Sequence, residues 1–251
     1  MPQQPSPKNK AYSSFDDFAD AGVVSAVSHR QSGNMSSVYG DTASSLENRR
    51  AFLNDLGIDY KSLVSAKQIH GNNIKYARAV DKGSGALSYD NAIADTDALV
   101  TDEKDLPLAV FTADCLSVFL YDAKTPAIGL VHAGWRSSKE NITARTIRLM
   151  GELFKTRQED LRLAFGPGIR DCCYEVEEEF KKLFSGAVIE RAGRLYLDLA
   201  SENKKQALEC GVRPEHIFDD HLCTFCRNDL FYSFRKEGKD SGRMISLFML
   251  K

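Results

Sequence analysis

The sequence has no apolar run of the roughly 18 residues that a membrane span requires, and no cluster of Lys and Arg long enough to bind a nucleic acid. Its net charge is only −2 at pH 7. The segment Met1–Lys10 is rich in Pro, Gln and Lys and lacks the apolar stretch of a secretion signal. We therefore expect no membrane or nucleic-acid partner, and a disordered tail at residues 1–12.

Cysteine is sparse. Six cysteines in 251 residues, without an export signal, predict reduced thiols and a cytoplasmic location. Cys223 and Cys226 have the Cys-x-x-Cys spacing of zinc ribbons, but no second pair of this kind accompanies them. Cys172 and Cys173 are adjacent, so we expect their side chains to diverge. All four are predicted to be structural, and no disulfide between the two regions is indicated.

Strand-like and helical segments alternate irregularly, which predicts a single α+β domain with layered sheets over residues 13–251. Strands are predicted at residues 22–29, 60–66, 74–80, 106–112, 116–121, 127–132, 161–165, 231–235 and 244–250, and helices at 44–56, 176–184 and 199–210. The runs at 106–112, 116–121 and 127–132 are almost continuously apolar, so we expect them to form the central sheet. Residues 81–95 are predicted to be a loop near the mouth of the site.

Two helix starts are predicted from capping boxes, in which a hydroxyl and a carboxylate three residues apart satisfy backbone N–H groups. Ser44 and Glu47 form one, and Ser137 and Glu140 form the other. The second box would begin one continuous helix after His132. Its predicted buried stripe is Ile142, Leu149, Leu153 and Phe154.

Three potential metal ligands, His70, Cys115 and His132, each lie in a short loop word beside a strand-like run. Two imidazoles and a thiolate form a borderline-soft set that suits Zn²⁺, and three protein ligands leave a fourth tetrahedral position for water or substrate. The three residues are far apart in sequence, so only the fold could bring them together. Taken singly, each is more often a hydrogen-bonded His or a small buried Cys.

The words around these residues occur in one order. They are Lys67-Gln68-Ile69-His70-Gly71, Thr96-Asp97-Ala98-Leu99-Val100-Thr101, Thr112-Ala113-Asp114-Cys115, His132-Ala133-Gly134-Trp135-Arg136 and Gly166-Pro167-Gly168-Ile169. Together they resemble the YfiH family, also called the laccase-domain, polyphenol oxidase or DUF152 family, from about residue 22 onwards. The resemblance implies a four-layer αββα sandwich with mixed sheets. It also implies one zinc ion, held by His70, Cys115 and His132.

Four further residues are candidates for the site. Asp114 would accept a hydrogen bond near the metal or carry a proton, or else stabilise a turn. Gln68 would orient the substrate or a metal-bound water, or else cap a strand end. Arg136 is the candidate for binding a phosphate or carboxylate, with a surface salt bridge as the alternative. Arg30 matches an early Arg of the family, although its loop word is one residue longer here.

The resemblance implies a zinc-dependent enzyme of purine nucleosides. The implied activities are phosphorolysis of adenosine, inosine and methylthioadenosine, with phosphate as co-substrate, and deamination of adenosine. Zinc suits deamination, because a metal-activated water can attack C6 of the base.

Three other readings remain open. Multicopper oxidation needs about ten imidazoles, and five His exclude it, but polyphenol oxidation assisted by one bound Cu²⁺ remains. Cys115 and His132 could instead form a nucleophile–base pair for amide hydrolysis, as in editing a cell-wall precursor. The third reading is a ligand-binding protein without catalytic activity.

Overall fold

The computed structural model describes residues 12–15, 18 and 22–251, and within them it has fourteen β-strands and six α-helices. The strands are β1 (Tyr12–Ser13), β2 (Val23–Ser28), β3 (Val64–Ser65), β4 (Ile74–Tyr76), β5 (Ala98–Thr101), β6 (Leu108–Thr112), β7 (Leu116–Asp122), β8 (Ala127–Ala133), β9 (Leu161–Phe165), β10 (Glu175–Val176), β11 (Val188–Arg191), β12 (Arg194–Leu197), β13 (Ile217–Asp219) and β14 (Met244–Leu250). The helices are α1 (Thr42–Asp55), α2 (Trp135–Lys139), α3 (Ile142–Phe154), α4 (Phe180–Leu183), α5 (Leu199–Glu209) and α6 (Phe234–Glu237). In this described part, no helix has the length and apolarity to cross a membrane.

The predicted tail falls almost entirely outside the described residues. Residues 1–11 lie beyond them, and the last predicted tail residue, Tyr12, belongs to β1 and pairs with Ser28 of β2.

Two mixed sheets stack face to face between two helical layers. One has the strand order β1-β2-β14-β6-β3 and the other β13-β9-β7-β8-β5-β4, while β10-β12-β11 form a small third sheet. Phe52 of α1 packs in a core cluster on the outer face of the first sheet, and Met150 of α3 packs on the outer face of the second. Phe119 and Phe248 meet between the sheets. This arrangement confirms the predicted αββα sandwich.

The three apolar runs expected in one central sheet are divided between the two sheets, so that prediction was wrong. Strand β6 belongs to the five-stranded sheet, and β7 and β8 pair in the six-stranded sheet. Each strand has both faces covered, which explains the continuous apolar pattern, but that pattern does not reveal the sheet to which a strand belongs. The chain crosses from one sheet to the other through Ala113, Asp114 and Cys115, with Asp114 in the left-handed region at φ 87°.

Both predicted capping boxes were wrong. Helix α1 begins at Thr42, because the carboxylate of Asp41 accepts the N–H of Ser44 at 2.7 Å. In the second segment the hydroxyl of Ser137 accepts the N–H of Gly134, one turn earlier than predicted.

The predicted continuous helix after His132 is two helices. Asn141 adopts a left-handed conformation at φ 57° and separates α2 from α3. The buried face of α3 includes Ile147 and Met150, whereas Leu153, predicted to be buried, is 42% exposed.

Three further local predictions were wrong. Residues 176–184 contain the last residue of β10, a turn and the short helix α4. Residues 231–235 contain the start of α6, where the hydroxyl of Ser233 accepts the N–H of Lys236. Residues 60–66 contain a 3₁₀ turn before β3. These segments are short, and tertiary contacts override their local pattern.

Helix α5 holds the joint between α2 and α3 through buried polar contacts. The amide oxygen of Asn203 accepts the hydroxyl of Thr143 at 2.7 Å, and its amide nitrogen donates to the hydroxyl of Ser138 at 2.8 Å. All three side chains are fully buried, so none of these groups has water as an alternative partner.

Replacing Asn203→Ala is expected to lower the free energy of unfolding by about 2–4 kcal/mol, because two buried hydroxyls would lose a partner. Urea denaturation measures this loss. Ser201→Ala, at an exposed position of the same helix, is the control and should change stability by less than about 0.5 kcal/mol. Equal effects of the two substitutions would contradict a structural role for the Asn203 contacts.

Candidate active site

The fold brings together the three candidate ligands, which are far apart in sequence: His70, Cys115 and His132. Their ligating atoms all lie within 4.8 Å of one another. Cys115 directly precedes β7, His132 lies in β8, and the pairing of Ser117 with His132 brings these strand ends together. A tetrahedral zinc site would separate such atoms by about 3.3–3.8 Å. The three side chains therefore fit a single metal ion with modest adjustment.

Asp97 is the residue that assembles this site, and sequence reasoning gave it no role. One carboxylate oxygen accepts Nδ1 of His132 at 2.8 Å and the backbone N–H of His70 at 3.0 Å. The other accepts the N–H groups of Gly71 at 2.8 Å and Ile69 at 3.2 Å. Nδ1 of His132 is thereby occupied, which leaves Nε2 to face the other ligands. The sequence signal that could have identified Asp97 was the word Thr96-Asp97-Ala98, which leads into β5. Asp97 reaches the site because β5 pairs with β8, the strand that carries His132.

The hydrogen bonds of Asp97 also hold the loop that carries His70. His70 has a left-handed φ of 59°, which is uncommon for a residue other than glycine. Three successive N–H groups of this loop point at one carboxylate, so the loop conformation and the position of the imidazole are fixed together.

The electrostatics of the site favour a thiolate at Cys115. Burial raises the pKa of this thiol, but the positive charges of His132 and His70 and their hydrogen bonds lower it to about 6. Burial lowers the pKa of His132, but Cys115 and Asp97 raise it to about 9. The thiolate is the form of cysteine that binds metal ions.

Gly134 closes the back of the site. A Cβ atom at this position would lie 3.0 Å from Cδ2 of His70 and 3.1 Å from Sγ of Cys115. A side chain there would press on two of the three ligands, so glycine allows α2 to begin against them.

The side chains of Gln68 and Asp114 both form hydrogen bonds with neighbouring protein groups. The amide of Gln68 donates to the carbonyl of Phe111 and accepts its N–H, as a strand neighbour would. The carboxylate of Asp114 accepts the hydroxyl of Thr224 and the backbone N–H of Arg235, both at 2.6 Å. Both residues line the cavity, but these contacts match the structural alternatives offered for them.

The two candidate arginines differ in position. Arg136 lines the cavity with its guanidinium 4.3 Å from the ring centroid of Trp135. Arg30 is not among the described residues that line the cavity; its guanidinium pairs with Glu237 and lies over the ring of Tyr232. The structure therefore brings Arg136 to the site and leaves Arg30 outside it.

A cavity of about 450 Å³ opens in front of the three ligands, a volume typical of small-molecule sites. Aromatic and cationic side chains dominate its wall: Tyr39, Tyr89, Phe111, Trp135, Tyr174, Phe234, Arg49, Arg136, Arg235 and Arg243. Gly85 and Tyr89 come from the loop that was predicted to lie near the mouth of the site, which confirms that placement.

Residues 19–251 match a family model described as "Multi-copper polyphenol oxidoreductase laccase". The chain is 30% identical over 215 residues to purine nucleoside phosphorylase YlmD of Geobacillus stearothermophilus, an alignment that covers 82% of this chain and 78% of the relative. It is 29% identical over 210 residues to adenosine deaminase RL5 from an unknown prokaryotic organism, with 79% of each chain covered.

Solved structures show the same fold. The crystal structure of YlmD from Geobacillus stearothermophilus superimposes with a TM-score of 0.92 at 28% identity, and the alignment covers 99% of this chain and 98% of that one. The hypothetical protein YfiH of Bacillus licheniformis gives a TM-score of 0.91 at 27% identity, with 96% and 97% covered. These similarities confirm the family resemblance and the fold read from the sequence.

Asp97→Asn is expected to weaken metal binding at His70, Cys115 and His132 by about 10- to 100-fold, because an amide cannot accept all four N–H groups. Competition with a chromophoric chelator measures the affinity. Asp102→Asn is the matched control, since Asp102 is exposed and binds the hydroxyl of Tyr76. Unchanged affinity in Asp97→Asn would show that the carboxylate does not organise the ligands.

Proposed function

The chain belongs to the family described as multi-copper polyphenol oxidoreductase laccase, and from its site we propose that it is a zinc-dependent enzyme that acts on purine nucleosides. The proposed reactions are phosphorolysis of adenosine, inosine and methylthioadenosine, and deamination of adenosine. One observation carries the proposal: three potential metal ligands meet and line one cavity.

The donor set supports zinc as the metal. Two imidazole nitrogens and one thiolate suit zinc, and three protein ligands are the pattern of catalytic rather than structural zinc. When bound, zinc supplies Lewis acidity, which lowers the pKa of a water molecule or polarises a substrate atom. His70, Cys115 and His132 would hold the ion, and Asp97 keeps the imidazole of His132 turned toward it.

The cavity wall supports a purine nucleoside as substrate. The aromatic side chains of Tyr39, Tyr89 and Phe111 line it and provide faces on which a planar base can stack. Names of the similar proteins agree with this substrate class, since one is a purine nucleoside phosphorylase and another an adenosine deaminase.

The charge of the cavity supports phosphate as co-substrate. Four arginines line it, and the one carboxylate among the described lining residues, Asp114, is occupied by hydrogen bonds. The guanidinium of Arg49 donates to backbone carbonyls, and those of Arg235 and Arg243 do the same. The described residues offer no such acceptor or carboxylate partner to Arg136, so among the four its guanidinium is the one with no donor occupied by the protein.

The geometry also favours a second candidate, a cysteine hydrolase. Cys115, His132 and Asp97 form a chain of nucleophile, base and orienting carboxylate, and the thiol pKa is lowered to about 6. The close approach of His70 to the same sulfur favours the metal site, because a hydrolase needs only one imidazole there. Adding zinc distinguishes the two candidate functions. Zinc would inhibit an enzyme that uses Cys115 as a nucleophile and would activate the proposed zinc enzyme.

Product analysis tests the proposal. With phosphate, inosine should yield hypoxanthine and adenosine should yield adenine; without phosphate, adenosine should yield inosine. Cys115→Ala should hold one zinc ion fewer than the wild type and lose all nucleoside turnover, because the thiolate is a ligand. Chromatography and elemental analysis provide both readouts, and Cys210→Ala, a cysteine outside the site, is the control.

Base release that does not depend on phosphate would identify a nucleosidase instead. Cleavage of an amino-acyl precursor, with no turnover of nucleosides, would favour the hydrolase. Oxidation of a polyphenol only after copper loading would support the copper alternative.

Arg136→Ala is expected to impair phosphorolysis more than deamination, because only phosphorolysis must hold a phosphate dianion. Loss of a charge-assisted contact costs about 1.5–3 kcal/mol, or roughly a 10- to 100-fold fall in the phosphate-dependent rate. Kinetics at varied phosphate concentration measure the effect. Lys139→Ala removes a positive charge from the same helix outside the cavity and should change neither rate. An equal loss of both activities would assign Arg136 a structural role.

A further inference from the structure

Four cysteines meet at the protein surface beside the cavity. We propose that Cys172, Cys173, Cys223 and Cys226 form a second metal site, which binds one zinc ion through four thiolates and fixes the two loops that carry them. Their four Sγ atoms all lie within 4.8 Å of one another.

The sulfur separations fit a single tetrahedral ion. Sγ of Cys226 lies 3.3 Å from that of Cys173 and 3.7 Å from that of Cys172. Zinc–sulfur bonds of about 2.3 Å place tetrahedral sulfurs about 3.8 Å apart. A disulfide requires about 2.05 Å, and all four cysteines are free. A [4Fe–4S] cluster would bind each sulfur to a different iron and hold the sulfurs farther apart.

The site combines the adjacent pair Cys172 and Cys173 with the Cys-x-x-Cys pair Cys223 and Cys226. The sequence did not predict that these two pairs meet. The N–H groups of Cys173 and Tyr174 both donate to the carbonyl of Arg170, and this tight turn brings the sulfurs of Cys172 and Cys173 to the same neighbour. The expectation that the adjacent side chains diverge was therefore wrong. A second Cys-x-x-Cys is unnecessary, because the turn supplies the other two thiols.

Contacts of the protein already bring the two loops next to each other. Gly168 pairs with Cys223 in a parallel bridge. The buried guanidinium of Arg170 donates to the carbonyls of Leu222 and Gly166 and to the carboxylate of Asp219. A metal ion would therefore not need to draw distant loops together.

Cys223 is the buried member of the cluster. It is 5% exposed, and its sulfur lies within 4.8 Å of the other three sulfurs. Four protein ligands would close the coordination sphere, so this is a structural site and not a catalytic one.

The loops held by this site form one wall of the catalytic cavity. Ile169 and Tyr174 line the cavity from the first loop. The N–H of Ile169 donates to the carbonyl of Asp114, and the hydroxyl of Thr224, from the second loop, donates to its carboxylate. The second zinc would therefore position Asp114, which directly precedes the ligand Cys115.

The metal content of the full chain tests the proposal. The protein is produced with zinc in the medium and purified without oxygen, and zinc and free thiols are counted. We expect two zinc ions in the wild type, one in Cys115→Ala and one in the double variant Cys172→Ser with Cys226→Ser. Cys210→Ser, which changes a cysteine outside both clusters, should keep two.

Cobalt substitution tests the same site by the number of sulfur ligands that the bound ion has. Cys115→Ala loaded with one cobalt ion should show the strong thiolate charge-transfer absorption of four sulfur ligands. The double variant, which keeps the Cys115 thiolate, should show a weaker band from one sulfur. A single zinc ion in the wild type that Cys115→Ala loses would overturn the proposal. So would a mass deficit of two hydrogens from a disulfide among the four cysteines, or iron in place of zinc.

Discussion

The carboxylate of Asp97 is the constraint on which the site depends. It binds three consecutive N–H groups of the His70 loop and the Nδ1 of His132, so one buried group sets both imidazoles relative to each other. Its position follows from the sheet: β5 pairs with β8 in a register that opposes Ala98 to Val131, and Asp97 therefore reaches the neighbouring His132. A change in strand register would separate the ligands even if every ligand were kept.

The crossing between the two sheets carries the third candidate ligand, Cys115. Strand β6 ends at Thr112 in one sheet and β7 begins at Leu116 in the other, so Cys115 stands at the edge where both sheets open onto the cavity. Asp114 stabilises this crossing from both sides, through Thr224 and the backbone of Arg235. The two apolar sheets thus position the polar turn at Asp114. Its contact with Thr224 connects this turn to the loop that carries Cys223 and Cys226.

The sequence singles out His70, Cys115 and His132 as candidate ligands because their chemistry is carried by residue type, and the structure brings the three side chains together. It predicts β9, α5 and β14 because each has a clear pattern and length. It does not predict Asp97, because a carboxylate before a strand is ambiguous until the pairing of β5 with β8 is known. Two other features also depend on contacts between distant segments, so the sequence does not predict them. They are the division of the apolar runs between two sheets and the contact of Cys173 with Cys226.

The family description names multicopper chemistry, but the placement of the histidines argues against it in this chain. Two of the five, His70 and His132, lie at the candidate site. His29 bonds to Ser13, and His221 lies exposed beside Asp219. Among the described residues, the only other potential ligand cluster consists of four cysteines. Four thiolates suit a structural zinc ion and not the copper ions that reduce oxygen. The cavity is thus lined by one mixed group of two imidazoles and a thiol, and a cluster of four cysteines lies on two loops beside it.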